Sequence, residues 1–458
     1  MDDVALWSAT DQAAAIKRGE LTSRDLLETF IDRIDRINPT VNAVVTTDFA
    51  AARDAADAAD IAVSEGRELG ALHGLPVTIK DALETNGMRS TGGATELADN
   101  VPTRDASVVS AVKQEGAIVF GKTNLPRWSG DIQSFNEIFG TTTNPWDASR
   151  VPGGSSGGAA AAVACGLTAF EIGTDIGGSI RFPASFNGIF GHKPSFGVVP
   201  STGYLDHPAG GTTEADVNVI GPLTRSADDL SLLLEILRRK TPTWTAELRS
   251  PTVAAKEMRV AAWLDDDFCR VDSEVVSVLD AAVARMEADG MSVDRSARPD
   301  LDPARAAQLG GMLVSSATNR PGDTHGPSHR EWCDWHIERE ELRAAWAKFF
   351  TEFDAIVMPV GFVEPFAHVH EGDFGTRTLE CNGEVRPYLD IVAWTLLTGM
   401  AYLPASVPPV GLSSGGLPIG MQVVGPYGSD TSTIALAGHV GSLGDGFVAP
   451  PVAQGLSG

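Results

Sequence analysis

The 458-residue chain has only four cysteines, Cys165, Cys269, Cys333 and Cys381, far apart and with no CxxC pair. That spacing suggests neither a disulfide framework nor a zinc ribbon, so the thiols are expected to be buried and free. Positive charge is also scarce: 35 Lys and Arg stand against 60 Asp and Glu, a formal net charge of -25. Such a surface repels a phosphate backbone and offers no basic stripe to nucleic acid or anionic lipid. No window approaches 18 uninterrupted apolar residues, and the opening MDDVALWSATDQ has no basic or apolar leader pattern. A soluble, cytoplasmic protein with no membrane partner is expected. Absent too are H-E-x-x-H and a strand-linked G-x-G-x-x-G. Those gaps set aside the zincins and the dinucleotide-binding fingerprint.

What is present is ample core material, with 43% hydrophobic and 21% charged residues. Residues 8 to 37 carry N-cap signals and apolar residues at helical spacing, with Asn38-Pro39 expected to stop the helix. A strand-like NAVVTT, a helix over about 49 to 65 and the short apolar run GLPVTIKD follow. The alternation continues through ASVVSAVKQEG, AIVFGKTN, an alanine-rich helix after Gly158 and LTAFEIGTD. Helices are expected near 227 to 239, 272 to 290 and 329 to 350, and strands at MRVAAWL, AIVMPV and GMQVVG. This is an α/β pattern, read as one large domain with a large, twisted, largely parallel or mixed sheet and helices on both faces. Within it, 1–65 are expected to be N-terminal cover helices packed on the core, 66–240 the core itself and 241–458 the remainder of the same domain with its loops. Residues 240 to 330 look less regular, and 368 to 387 read as a long surface loop or a subdomain excursion.

Three stretches carry possible chemistry. In GTDIGGSIRFPA, a strand empties into two glycines and Ser179, so that backbone N–H groups can converge on an oxyanion; alone, the same run is an ordinary turn. In VPGGSSGGAAAAVA, Ser155 and Ser156 lie between glycine pairs that run straight into a helix-favouring segment, which no free linker does. Lys80 ends an apolar strand: solvated, it is an ordinary lysine, and desolvated, it is a neutral base. His368 and His370 are two candidate ligands without further partners, so no metal is expected. His192 is either a base or a packed histidine.

Together these stretches, with GKTNLP, QSFNEIFGTTTNPWD, GPLTRSADDL, LPASVPPVG and GLPIGMQVVG, resemble the amidase signature family of serine hydrolases across nearly the whole chain. The resemblance implies a catalytic set of Lys80, Ser155 and Ser179, with a cis peptide bond before Ser155. It implies that Ser179 attacks an amide carbonyl while Ser155 relays its proton to neutral Lys80. Backbone N–H groups of Ile176, Gly177, Gly178 and Ser179 would then hold the oxyanion, with Ser156, Asp175 and Arg181 in support. Many members carry threonine where Ile176 stands, a change that a backbone donor tolerates.

The resemblance further places Trp128, Ser129, Gly130, Asp131 and Gln133, with Trp394 and Leu397, around the acyl pocket. It implies no cofactor, a small-molecule amide and water as reactants, and a homodimer as a possible assembly. The expected substrate is a small to medium, neutral and partly apolar amide, with an ester or carbamate as a further option. The alternative is the A subunit of a tRNA-dependent amidotransferase. Phe182 stands where those subunits commonly carry glutamine, which counts against that branch.

Overall fold

The computed structural model describes residues 3–206, 214–240, 247–318 and 326–454. One mixed, nine-stranded sheet forms the body of a single large domain. From one edge its strands run Ser292–Asp294, Arg259–Ala262, Ala355–Pro359, Pro418–Val424, Ala405–Val407, Phe190–Lys193, Val219–Thr224 and Glu171–Asp175, with Pro409–Leu412 paired to Pro418–Val424. The first three are mutually parallel, and the remaining pairings are antiparallel. The sheet is thus mixed, one of the two expected arrangements, and its centre is antiparallel. A second sheet joins Val44–Thr47, Ile118–Thr123 and Pro76–Lys80. Its Pro76–Lys80 strand lies beside Glu171–Asp175, tied there by the Thr78 N–H donating to Thr168 Oγ1 at 2.9 Å.

Two apolar cores flank this framework. One gathers Phe30, Val77, Ile79 and Phe120 under the N-terminal helices, and the other gathers Phe182, Trp263, Trp394 and Met421. Between them lies the helix Gly157–Ala164, buried at every position. Its small residues permit the approach, since a Cβ on Gly158 would sit 2.5 Å from the Asn124 carbonyl oxygen.

Three expectations need correction. The second helix runs Ser23–Val41, through Pro39. In the last turn a proline loses a single helical bond, and Asn38 Oδ1 accepts from the N–H groups of Ala43 and Val44 to close the end. The irregular-looking 240 to 330 holds a helix, Pro303–Ala317, capped by Asp302 with proline opening its first turn; residues 241–246 and 319–325 lie outside the described part. The surface loop at 368 to 387 contains a hairpin, Thr378–Cys381 with Glu384–Pro387. Asn382-Gly383, both at positive φ, form its two-residue turn, the Asn-Gly signal that marks such hairpins. No helix among the described residues is long and apolar enough to cross a membrane.

Candidate active site

Lys80 ends a strand buried at every position, so its amine has no water and must find protein partners. Its Nζ lies 2.6 Å from Ser155 Oγ, 2.8 Å from Thr174 Oγ1 and 3.0 Å from Ser156 Oγ. Burial pushes the amine down to about 7, against the pull of Asp175 and Glu171 towards the charged form. The result is an amine ringed by three hydroxyls, each able to accept or donate.

The peptide bond between Gly154 and Ser155 is cis, and Gly153 has φ +79°. The turn is gripped from beneath by Ser134, whose Oγ donates to the Gly153 carbonyl at 3.1 Å and accepts from the Gly157 N–H at 3.0 Å. The Ser156 N–H donates to the Ser179 carbonyl at 3.2 Å, joining the two serine turns. The side chains of Ser155 and Ser179 are not hydrogen-bonded to each other, and Ser179 Oγ makes no hydrogen bond among the described residues. Ser179 is 5% exposed, and Ile176 and Gly177 beside it are half-buried, so the surface opens over this turn.

Asp175 shapes the turn. Burial works to raise its carboxyl, but Arg181 overcomes that and holds it at about 2. The pair is wholly buried and bidentate, Arg181 Nε to Oδ2 at 3.0 Å and Nη2 to Oδ1 at 2.8 Å. Arg181 Nη1 donates to the Thr395 carbonyl, Thr398 Oγ1 and Gln422 Oε1, so each guanidinium nitrogen has an acceptor. Asp175 also accepts from the N–H groups of Gly178 (2.8 Å) and Ile180 (3.1 Å). The Gly178 N–H is thus occupied, which removes it from the four expected oxyanion donors. The N–H groups of Ile176, Gly177 and Ser179 have no partner among the described residues.

The expected pocket residues separate into two groups. In the Trp128–Ser129 turn both residues have positive φ, and the Trp128 N–H donates to the Gly92 carbonyl at 2.8 Å while the Gly92 N–H donates to the carbonyl of Asp81, next to Lys80. Gly130 closes that turn, its N–H donating to the Arg127 carbonyl. Asp131 and Gln133 do not offer free polar groups to a pocket: Asp131 is paired with Arg377 and Tyr388, and the Gln133 amide is satisfied both ways by the Val369 backbone. Trp394 and Leu397 are fully buried in the core, Trp394 packed on Trp263 and Phe268 with its Nε1 donating to the Cys269 carbonyl. Their helix nevertheless touches the site through Thr395, whose Oγ1 donates to the Gly177 carbonyl at 2.7 Å.

Sequence reasoning missed Thr174, Ser134 and Thr395. Thr174 adjoins Asp175 in the motif and was within reach, whereas Ser134 and Thr395 carry no local signal. His192 is a packed histidine, buried between Ser406 Oγ (2.9 Å) and Asp430 Oδ1 (3.2 Å). His370 stacks on Phe135, and no metal-ligand cluster occurs among the described residues. All four cysteines are free.

The chain matches the Amidase family model over residues 25–328 and 324–434. It is 31% identical to an indoleacetamide hydrolase of Bradyrhizobium diazoefficiens, covering 94% of this chain and 85% of that one. It is 30% identical to the A subunit of a glutamyl-tRNA(Gln) amidotransferase of Chromohalobacter salexigens, covering 93% and 94%. A crystal structure of an amidase superposes with a TM-score of 0.80 at 28% identity, covering 95% of this chain and 99% of that one. With motif order, fold and whole-length similarity in agreement, the chain belongs to the Amidase family, the amidase signature hydrolases of amide C–N bonds.

Proposed function

We infer that this protein hydrolyses a small to medium, neutral and partly apolar amide through an acyl-enzyme on Ser179. The carrying observation is the Lys80–Ser155 contact of 2.6 Å in a dry pocket, where burial holds the amine at about 7. A neutral Lys80 accepts the proton that Ser155 passes on as Ser179 Oγ bonds to the carbonyl carbon. The oxyanion falls to the N–H groups of Ile176, Gly177 and Ser179, aimed before the reaction begins. The proton returns through Ser155 to the leaving nitrogen, and water then cleaves the ester by the reverse path. Half-buried Ile176 and Val392 at the opening favour an apolar acyl group, in keeping with the indoleacetamide hydrolase relative; an ester or carbamate fits the same chemistry.

The amidotransferase reading draws on relatives 30% identical. Against it, Phe182 is wholly buried, edge-on to Phe186, and presents no amide at that position. The purified chain should release product from neutral aryl or alkyl amides unaided, and Ser179→Ala should abolish that release. Activity that appears only with added partner proteins and a glutamine donor would assign the amidotransferase role instead.

A further inference from the structure

The excursion over 366–388 is fastened to one loop, 131–135, by contacts that the mechanism does not use. Arg377 Nη1 donates to Asp131 Oδ2 at 2.6 Å, with both side chains under a tenth exposed. The Tyr388 hydroxyl donates to Asp131 Oδ1 at 2.6 Å. Gln133 Nε2 donates to the Val369 carbonyl at 2.7 Å, and Gln133 Oε1 accepts from the Val369 N–H at 2.9 Å. The guanidinium is held over the rings of Tyr388, Phe374 and Phe135.

The fastened loop is the one that holds the Ser155 turn. A Cβ on Gly154 would come within 2.5 Å of the Ile132 carbonyl carbon and 2.6 Å of the Asp131 oxygen and the Gln133 nitrogen, so the two backbones lie in direct contact. Ser134, next in the loop, bonds to Gly153 and Gly157 on either side of the turn. A continuous path of contacts thus runs from Arg377 and Tyr388 through Asp131 and the 131–134 backbone to Gly154, and from there to the Ser155–Lys80 hydrogen bond. We propose that Arg377 and Tyr388 are positioning residues for the proton relay: by anchoring Asp131 they set where Ser155 Oγ stands between Ser179 and Lys80. Neither touches the reacting atoms. Displacements of an ångström in a relay group are enough to slow a reaction strongly, so the effect belongs to the chemical step and not to substrate capture.

This inference rests on the serine-hydrolase reading, and one experiment separates them without knowledge of the substrate. An alkyl fluorophosphonate reacts as Ser179 Oγ bonds to phosphorus, the P–F bond breaks, fluoride leaves and the serine proton passes through Ser155 to Lys80. Its maximal rate, kinact, and its half-saturating concentration, KI, report chemistry and capture separately. Wild-type protein should be labelled at Ser179 and the Ser179→Ala variant should not; an unlabelled wild type overturns the hydrolase reading and this inference with it. In Arg377→Met, kinact should fall about tenfold with KI within about twofold of wild type, and Arg377→Lys should recover most of the loss. Removing Arg377 strands a buried carboxylate, so Tyr388→Phe, which deletes one hydroxyl, serves if Arg377→Met does not fold; its kinact should fall about threefold. Labelling of Ser179 at the wild-type kinact in the folded variant, or a change confined to KI, would overturn the positioning role while leaving the hydrolase reading intact.

Discussion

Lys80 and Lys193 are both wholly buried, both end strands, and both are pushed down to about 7 by burial. Their partners differ in kind. Lys80 faces three hydroxyls, whereas Lys193 donates to two backbone carbonyls, Pro194 O at 3.0 Å and Leu403 O at 2.8 Å. A carbonyl only accepts, so no neighbour of Lys193 can hand it a proton during a reaction; a hydroxyl accepts from one neighbour while donating to the next. Two amines that burial pushes down alike are thus a relay terminus in one place and a structural strut in the other. Burial and charge do not separate them, and the chemistry of the neighbouring oxygen does.

Replacement of each lysine by methionine tests the contrast directly. Lys80→Met should reduce amide hydrolysis about 1000-fold, within the range that general-base groups contribute. Its unfolding free energy should change by no more than about 1 kcal/mol, because the three hydroxyls can bond to one another and a desolvated amine is gone. Lys193→Met should behave inversely, keeping kcat within about threefold while losing about 1–3 kcal/mol for the two stranded carbonyls. Equal losses of activity in the two variants, each correctly folded, would erase the distinction.

The next largest effect is the pH dependence. Lys80 must be neutral to accept the proton, so kcat/KM should fall about tenfold per unit as pH drops below about 7 and level off above it. A plateau extending to pH 5 would mean that the amine does not take the proton. Thr174→Val probes the ring of hydroxyls itself. It removes one of the three Lys80 contacts without touching Ser155 or Ser179, and a loss of about threefold to tenfold in kcat is expected, with KM unchanged. Saturation kinetics on the most reactive amide found for the wild type would read both.

The same contrast shows what the sequence could carry. Lys80 stood out only through the family resemblance, since the apolar run that ends in it is equally that of an ordinary strand-end lysine. Lys193, in GHKPS, is just as buried, yet nothing in its neighbourhood announces that. The motif from Gly173 to Ala184 was legible almost whole, since strand, turn, acid and arginine are contiguous and their contacts are local. Asp175 taking the Gly178 N–H was not legible, because it depends on which way one carboxylate turns. Thr395, Ser134 and the Arg377 anchor reach the site from distant parts of the chain, and periodicity carries no record of such pairings. The antiparallel centre of the sheet escaped for a related reason: helix–strand alternation fixes the elements, while strand direction depends on long connections. Asn382-Gly383 was a readable hairpin signal inside a stretch whose polarity suggested a loop or an excursion without strands.

A further expected effect is on stability, and it follows from the same buried groups. Lys193 binds its proton at about 7 when folded, with burial and then Arg181 as the causes, against an ordinary value of 10.5. Between those values the unfolded chain holds a proton that the folded one lacks, so stability rises with pH across that window and is independent of this group below it. Lys80 acts the same way, as does Lys122, pushed down by burial to about 8. Glu171 acts in the opposite sense: burial raises it from 4.5 to about 7, so the folded state keeps a proton that the unfolded chain has lost, and stability falls as pH climbs through that interval. These groups together place a minimum in stability near pH 7 and a rise towards pH 10. In Lys193→Met one of the three rising contributions is gone, so denaturant midpoints measured from pH 7 to 10 should climb less steeply than in the wild type. A wild-type stability that declines between pH 7.5 and 10 would mean that these amines keep their protons when folded, and the likeness between Lys80 and Lys193 would fail along with it.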